Sequence, residues 1–404
     1  TPFLLMKRPK HLLFLVALGL LFPQAMKAQS SATTAREALL DSILSNNTSL
    51  AALRAQTSAG KAEARADLQL PDPEVEAGYL WGTPKGTPAR KDFGISQEID
   101  WGVVTGKRRQ LARAADRMLD ADYALQVTNL LAEADAEIVN ATHLNRLCRQ
   151  LALRRDLSQT LLLLYDKMMA QGDADQLTYN KAKLSHTLAA AALAKAETER
   201  AETMERLRRL NGGHPVAYTD TLYDATPVPT LPTLLERAAS AQAATLVASA
   251  KVNCQKREAK LARMEALPKL SVGFTGEYIA GENHSGVSVG LSLPIWGNAR
   301  QRVRQSQAAL TAAQLELADV ETQLKATVEQ RYATMLRCQQ TAERLKREME
   351  GNDNVHLLQR ALQTGLISMT DYLLELSFFN EAQTALLEAE RDAALAKSQL
   401  MRMF

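Results

Sequence analysis

Few side chains in this sequence are spaced to make or break covalent bonds. The 6 histidines are scattered, with no His-x-x-x-His pair, and there is no phosphate-binding loop. The 3 cysteines, Cys148, Cys254 and Cys338, show no Cys-x-x-Cys spacing. Met401 and Met403, even with Cys254 and the histidines, make no credible metal set. No catalytic, cofactor-binding or metal-ligating residues are expected, and no enzyme. The polar residues with a discernible use alternate with apolar ones: Glu74, Glu76, Glu98, Asp100, Ser288 and Ser292. Strict alternation marks strands with one wet face and one apolar face. Charge and hydroxyl groups on such a face can line water while the other face meets something greasy.

Four runs carry that pattern, and they come in two pairs. Residues 74–82 place Val75, Ala77, Tyr79 and Trp81 on one side; residues 92–101 place Phe93, Ile95, Ile99 and Trp101 there with Gln97. Residues 269–279 and 285–295 repeat the theme with Leu270, Val272, Phe274 and Tyr278, then Val287, Val289, Leu291, Leu293 and Ile295. Each run is close to the roughly 9–11 residues that a tilted strand needs to cross a bilayer. Trp81, Trp101 and Trp296 all fall at run ends, where membrane-interface aromatics belong. The plainer alternative is two soluble hairpins packed on a core.

The elements that hold these runs are long helices, and the whole arrangement is stated twice. Leu70-Pro71 precedes the first pair and Leu267-Pro268 the second; Gly106 and Gly297 follow them. The offsets of 197 and 191 residues are near half the chain, the signature of an internal repeat. After Gly106 no proline occurs until Pro215, and after Gly297 none occurs at all. Val127, Leu131, Ala134, Ile138, Ala141, Leu144, Cys148 and Leu151 recur at steps of three and four, a coiled-coil-like seam. Some 60 helical residues would span about 90 Å. Breaks are expected at Gln171-Gly172-Asp173 and at Gly365, with residues 349–354 a further interruption. The organisation is thus a signal peptide at 1–28, a first repeat at 29–210, a proline-rich polar linker at 211–232 on the outside, and a second repeat at 233–404. Each repeat opens with a helix, at 31–69 and 233–266.

The first residues set the compartment. Lys7, Arg8 and Lys10, an apolar core from Leu12 to Phe22, and Ala25-Met26-Lys27-Ala28 read as a secretory signal peptide cleaved after Ala28. Cleavage removes four of the 48 basic residues and none of the 45 acidic ones, leaving 44 against 45. Nothing in that balance argues for nucleic acid. Cys148 and Cys338 occupy similar places in the two repeats, so a disulfide is conceivable, with buried packing thiols the commoner outcome. No later apolar stretch reaches membrane-helix length, so membrane passage falls to the strands.

With Leu70-Pro71-Asp72-Pro73, Ser96-Gln97-Glu98-Ile99, Gly106-Lys107-Arg108, Leu267-Pro268, Leu293-Pro294-Ile295 and the two helix breaks in this order, the mature chain resembles the TolC family of outer membrane efflux proteins. The Pro-Asp-Pro-Glu and Ser-Gln-Glu-Ile wording is similar to its CzcC-like branch, outer membrane partners of heavy-metal exporters. The resemblance implies a mainly α fold with membrane β-strands: a trimeric, 12-stranded barrel, four strands per chain, continuous with a long periplasmic α-helical barrel. It implies a homotrimer in the outer membrane of a Gram-negative bacterium, in contact with its lipids, with most of the mass in the periplasm. A periplasmic adaptor and an inner-membrane pump of the RND type would be its partners, and no cofactor or nucleic acid is implied.

The helix breaks then become adaptor-contact tips, Gly365-Leu366-Ile367-Ser368 and its counterpart Gly172-Asp173-Ala174-Asp175. Asp371 becomes the candidate entrance gate, a ring of three carboxylates favouring cations; an acid stabilising a helix start is the equal alternative. Some members carry two acids here, whereas Leu374 takes the second place in this chain. Heavy-metal cations are the expected cargo, with drugs, other small molecules or a type I secretion substrate as alternatives. A periplasmic structural coiled coil is the alternative from a different class.

Overall fold

A computed structural model of the chain describes residues 34–66, 68, 72–99, 102–293, 297–350 and 355–404. The expected signal peptide, Leu70-Pro71, Asp100, Trp101, Ile295, Trp296 and residues 351–354 lie outside the described residues. The chain order is α1 (Ala35–Asn46), α2 (Thr48–Ala66), β1 (Glu74–Leu80), β2 (Arg90–Ile99), α3 (Gly102–Gln171) and α4 (Gln176–Leu210), followed by α5 (Leu231–Ala241), α6 (Ala243–Glu265), β3 (Lys269–Ile279), β4 (Glu282–Ser292), α7 (Asn298–Glu350), α8 (Val355–Gln363) and α9 (Met369–Met401). The 70 residues of α3 extend about 105 Å.

Two helices expected to be continuous are each split once. Asn47 and Gln242 adopt extended backbone, with ψ of 118° and 130°. Each caps the helix it starts: Asn47 Oδ1 accepts from the Leu50 N–H at 2.9 Å, and Gln242 Oε1 from the Thr245 N–H at 3.0 Å. Neither break uses proline or glycine, so composition alone does not reveal it.

The seam of α3 is buried from Ala134 to Leu151, and two cores repeat each other about it. In the first, Leu40 and Ile43 of α1 meet Ala134, Ile138 and Ala141 of α3 and Leu207 and Leu210 of α4. In the second, Leu234 and Ala238 of α5 meet Leu324, Val328 and Met335 of α7 and Ala396 and Leu400 of α9. The linker runs mostly exposed along the outside but is anchored at Tyr218. Tyr218 is buried in the first core, its carbonyl accepts from Asn145 Nδ2 at 3.2 Å, and its hydroxyl lies 3.3 Å from Thr142 Oγ1.

Between the two cores sits a carboxylate with no solvent exposure, Asp135. Arg36 grips it with two nitrogens at 2.6 and 2.7 Å, Ser398 Oγ donates at 2.6 Å, and Arg402 Nε donates at 3.2 Å. Burial opposes ionisation, but these hydrogen bonds and the two guanidinium charges outweigh it and hold Asp135 below the usual carboxylate range. Asp224 of the linker extends the network through Arg36 at 3.2 Å and Lys397 at 3.1 Å. The cysteines are all free: Cys148 packs with Leu151, Leu193 and Ala196, and Cys338 lies against the second core instead.

A second titratable group is buried where α3 meets α9. Burial pushes His143 down to about 4, Arg391 and Arg146 push the same way, and a hydrogen bond to the Leu387 backbone and the charge of Asp392 oppose them. The unfolded imidazole takes its proton near the ordinary 6.5, the folded one only near 4. Stability therefore falls as pH drops through that window, by about 3 kcal/mol in all, and is untouched above it. Melting curves at pH 7.5 and 4.5 are expected to show a smaller acid-induced loss for His143→Leu than for the wild type.

Candidate functional site: strand face and hairpin tips

The four strands form one antiparallel sheet in the order β1-β2-β3-β4. Its register gathers the alternating residues into a mainly apolar face, interrupted by Lys91, Gln97, Asn283 and Ser285, and a mainly polar one. Val75, Ile95, Phe274 and Val287 stand opposite one another across all four strands, and Gln97, Val272 and Val289 form the next row. Most of these side chains are exposed in the single chain, a mainly apolar surface with no protein partner among the described residues. An apolar patch of this extent marks contact with a membrane or another chain.

The opposite face carries Glu74, Glu76, Asp92, Glu98 and Glu277, with Ser96, Ser271, Ser288 and Ser292 and several glycines between them. Arg90 bridges Asp92 at 2.6 Å and Glu277 at 2.8 Å, and Lys269 meets Glu98 at 2.7 Å. Sequence reading missed the Arg90–Glu277 and Lys269–Glu98 pairs, which depend on register between strands, 187 residues apart in the first case. Gly286-Val287-Ser288-Val289-Gly290 spells the five-residue serine nucleophile pattern. It lies wholly inside β4, with no strand-to-helix turn to expose the hydroxyl, so it reads as strand alternation.

The strands start and stop differently from the alternation. β2 begins at Arg90 because Arg90 pairs with both Leu80 and Ile279. β4 begins at Glu282, three residues before the expected 285, because a two-residue turn joins it to β3. Ala280 (φ 51°) and Gly281 (φ 99°) both take the left-handed backbone that such a hairpin requires. Trp81 lies just past β1, 82% exposed, with Tyr79 edge-on at 5.5 Å. Trp101 and Trp296 fall outside the described residues.

At the other end of the helices, the two hairpin turns share one geometry. Gly172 (φ 82°) and Gly365 (φ 70°) end α3 and α8 in the left-handed region. The following residue donates back into the helix, Asp173 N–H to Met168 O at 2.8 Å and Leu366 N–H to Ala361 O at 2.9 Å. That is a Schellman stop. Three residues after each glycine an N-cap starts the next helix: Asp175 accepts from the Thr178 N–H at 2.6 Å, and Ser368 from the Asp371 N–H at 3.1 Å. Ala174 and Ile367, at matching places, tuck into a shared tip cluster with Tyr165, Ala182, Met369 and Tyr372. Asp173 and Leu366 face solvent, Leu366 with 79% exposure. The turns are therefore alike in backbone and opposite in chemistry, one acidic and one apolar. A Cβ at Gly365 would meet nothing, so Gly365→Ala tests the backbone alone. It is expected to cost about 1–2 kcal/mol, read as faster amide exchange across residues 358–372.

Asp371 completes a capping box. Its carboxylate accepts from the Ser368 hydroxyl at 2.6 Å and from the Ser368 N–H at 3.3 Å. The helix-start alternative thus has its full geometry, and the side chain remains exposed. Of the basic residues beyond the strands, Arg108 bridges Glu265 at 3.2 Å, and Arg302 borders a cavity of about 1020 Å³ between α2, α3, α6 and α7.

Residues 234–404 match the sequence model of the outer membrane efflux protein family. That match spans the second repeat of the chain. No curated protein matches it in sequence. Its fold is similar to that of a membrane protein from Pseudomonas aeruginosa, with 19% identity, TM-score 0.71, and 92% of this chain and 90% of that one covered. CusC is similar over 92% of both chains, with 13% identity and TM-score 0.76. The outer membrane protein VceC of Vibrio cholerae is similar over 91% of this chain and 95% of its own, with 13% identity and TM-score 0.70. An outer membrane efflux channel, with its helical mass in the periplasm, accounts for the two-faced sheet and for helices too long for a globule.

Proposed function

We propose that three copies of this efflux channel close their sheets into one twelve-stranded barrel. The carrying observation is the mainly apolar face on a sheet whose β1 and β4 edges are both unpaired among the described residues. Open edges are not tolerated in lipid, and four strands are too few for a pore, so neighbouring copies must supply the missing pairing. Glu74, Glu76 and Glu98 then line the water path, and the helices continue it across the periplasm. Heat-modifiable trimers in an outer membrane fraction are the expected result on electrophoresis; a monomeric periplasmic protein would overturn it.

The tips are the proposed contact for a periplasmic adaptor, with Leu366 and Asp173 presented outward and Gly172, Gly365, Ile367 and Ser368 setting the turns. The pump behind the adaptor is proposed to be of the RND type, with heavy-metal cations as cargo. Growth of a deletion strain on metal salts against detergents and dyes distinguishes metal export from drug export or secretion. Asp371 is retained as an entrance carboxylate, now with its capping role as the competing account. Asp371→Asn removes three charges from a trimer while keeping an N–H-accepting oxygen. Reduced cation selectivity in single-channel recordings is the expected result, and unchanged selectivity assigns Asp371 to capping alone.

A further inference from the structure

Arg154 is a half-buried cation that meets no carboxylate among the described residues, a condition it shares with Lys181, Arg257 and Arg331. Arg36, Arg108, Arg146, Arg206, Lys397 and Arg402 each lie within 3.2 Å of a carboxylate. Arg154 meets neutral acceptors on α9: its Nη2 donates to the Asn380 carbonyl at 2.8 Å, Thr384 Oγ1 at 3.1 Å and Gln383 Oε1 at 3.4 Å. Its Nε is buried with no acceptor. Burial without a compensating charge pushes this guanidinium below its ordinary pKa.

The same guanidinium closes one end of a groove of about 410 Å³ between α3, α4 and α9. The walls are mainly aliphatic: Leu157 and Leu161 from α3, Leu184 and Leu188 from α4, Leu373 and Leu376 from α9. Leu184 and Leu188 are exposed. Toward the tip the groove is bordered by Lys181, whose Nζ donates to Thr370 Oγ1 at 2.8 Å. Two cations therefore face an apolar trench that no carboxylate lines. Its α9 wall runs from Tyr372 to Asn380, about 12 Å or two turns. That length and volume suit a small ligand better than a helix, which needs anchors repeated over more turns.

We propose that this groove binds a small amphiphilic anion, a carboxylate on an alkyl chain, with its head group on Arg154 and its chain along Leu157 and Leu161. The assignment goes beyond the channel reading, on which the membrane-inserted form used in the test rests. Octanoate is the probe, titrated calorimetrically into the full mature protein in lipid nanodiscs, with empty nanodiscs as the blank. One saturable site per chain is expected, weakened at least tenfold in Arg154→Gln and retained in Arg154→Lys and in the neighbouring Arg155→Gln. Octanol, which has the chain without the charge, is expected to bind at least tenfold more weakly. Melting curves establish that each variant is folded before it is titrated. Absence of saturable binding, equal affinity in Arg154→Gln, or equal affinity for octanol overturns the proposal. So does protection of Leu188→Cys from maleimide by a partner protein with no octanoate binding, which would make the groove a helix-docking site.

Discussion

Phe274→Arg is expected to eliminate the outer membrane trimer, while Thr275→Arg, one residue later, leaves it assembled. Phe274 is the central residue of β3 and sits in the apolar row with Val75, Ile95 and Val287. An arginine at the bilayer midplane of a β-barrel costs about 2–4 kcal/mol, so three copies cost about 6–12 kcal/mol per barrel. Thr275 points to the other face, where its cross-strand neighbours are Gly94 and Gly286 and the surface is open and wet. Electrophoresis of outer membrane fractions, boiled and unboiled, reads both variants. Assembly of both to the same level would mean that the apolar row does not meet lipid.

The second large effect is expected at Asp135. Asp135→Ala leaves Arg36 with Asp224 alone, takes from Arg402 its Asp135 carboxylate, and leaves the Ser398 hydroxyl short of an acceptor. Breaking a buried pair from one side costs about 3–5 kcal/mol, because an uncompensated charge remains. A lower melting temperature and faster proteolysis within α1 are the expected readouts. The carboxylate is held below its ordinary 3.8 when folded. Its contribution is thus complete above that value and disappears as pH falls through the lower, folded value. The melting-temperature gap between wild type and Asp135→Ala should be constant at neutral pH and close only in strong acid.

What was legible in the sequence was whatever periodicity writes along the chain. Alternation at Val287, Val289 and Leu291 marks a strand, the seam from Ala134 to Leu151 marks a buried helix stripe, and Gly172 and Gly365 mark stops. The breaks at Asn47 and Gln242 were illegible because each residue supplies its own cap, and Asn and Gln occur freely in helices as well. The tight Ala280-Gly281 turn was missed because alanine is a rare choice at positive φ. Arg154 and Asp135 carried no local signal at all: their partners lie 226 and 263 residues downstream, and only folding brings them together. Asp371 was half legible, since Ser-x-x-Asp before an apolar run announces a cap but says nothing about a pore.

The spacing of the Asp135 network has a consequence for biogenesis. Arg36 is 99 residues upstream of Asp135, whereas Ser398 and Arg402 are 263 and 267 residues downstream. A chain threaded into the periplasm from its N-terminal end delivers the carboxylate and one arginine long before the other two ligands. Until residue 402 has crossed, α1 and the midpoint of α3 hold an incomplete polar knot, and the two repeats lack their common fastening. The network therefore closes only when residues from near both ends of the described chain are present, and it ties the first repeat to the last helix of the second.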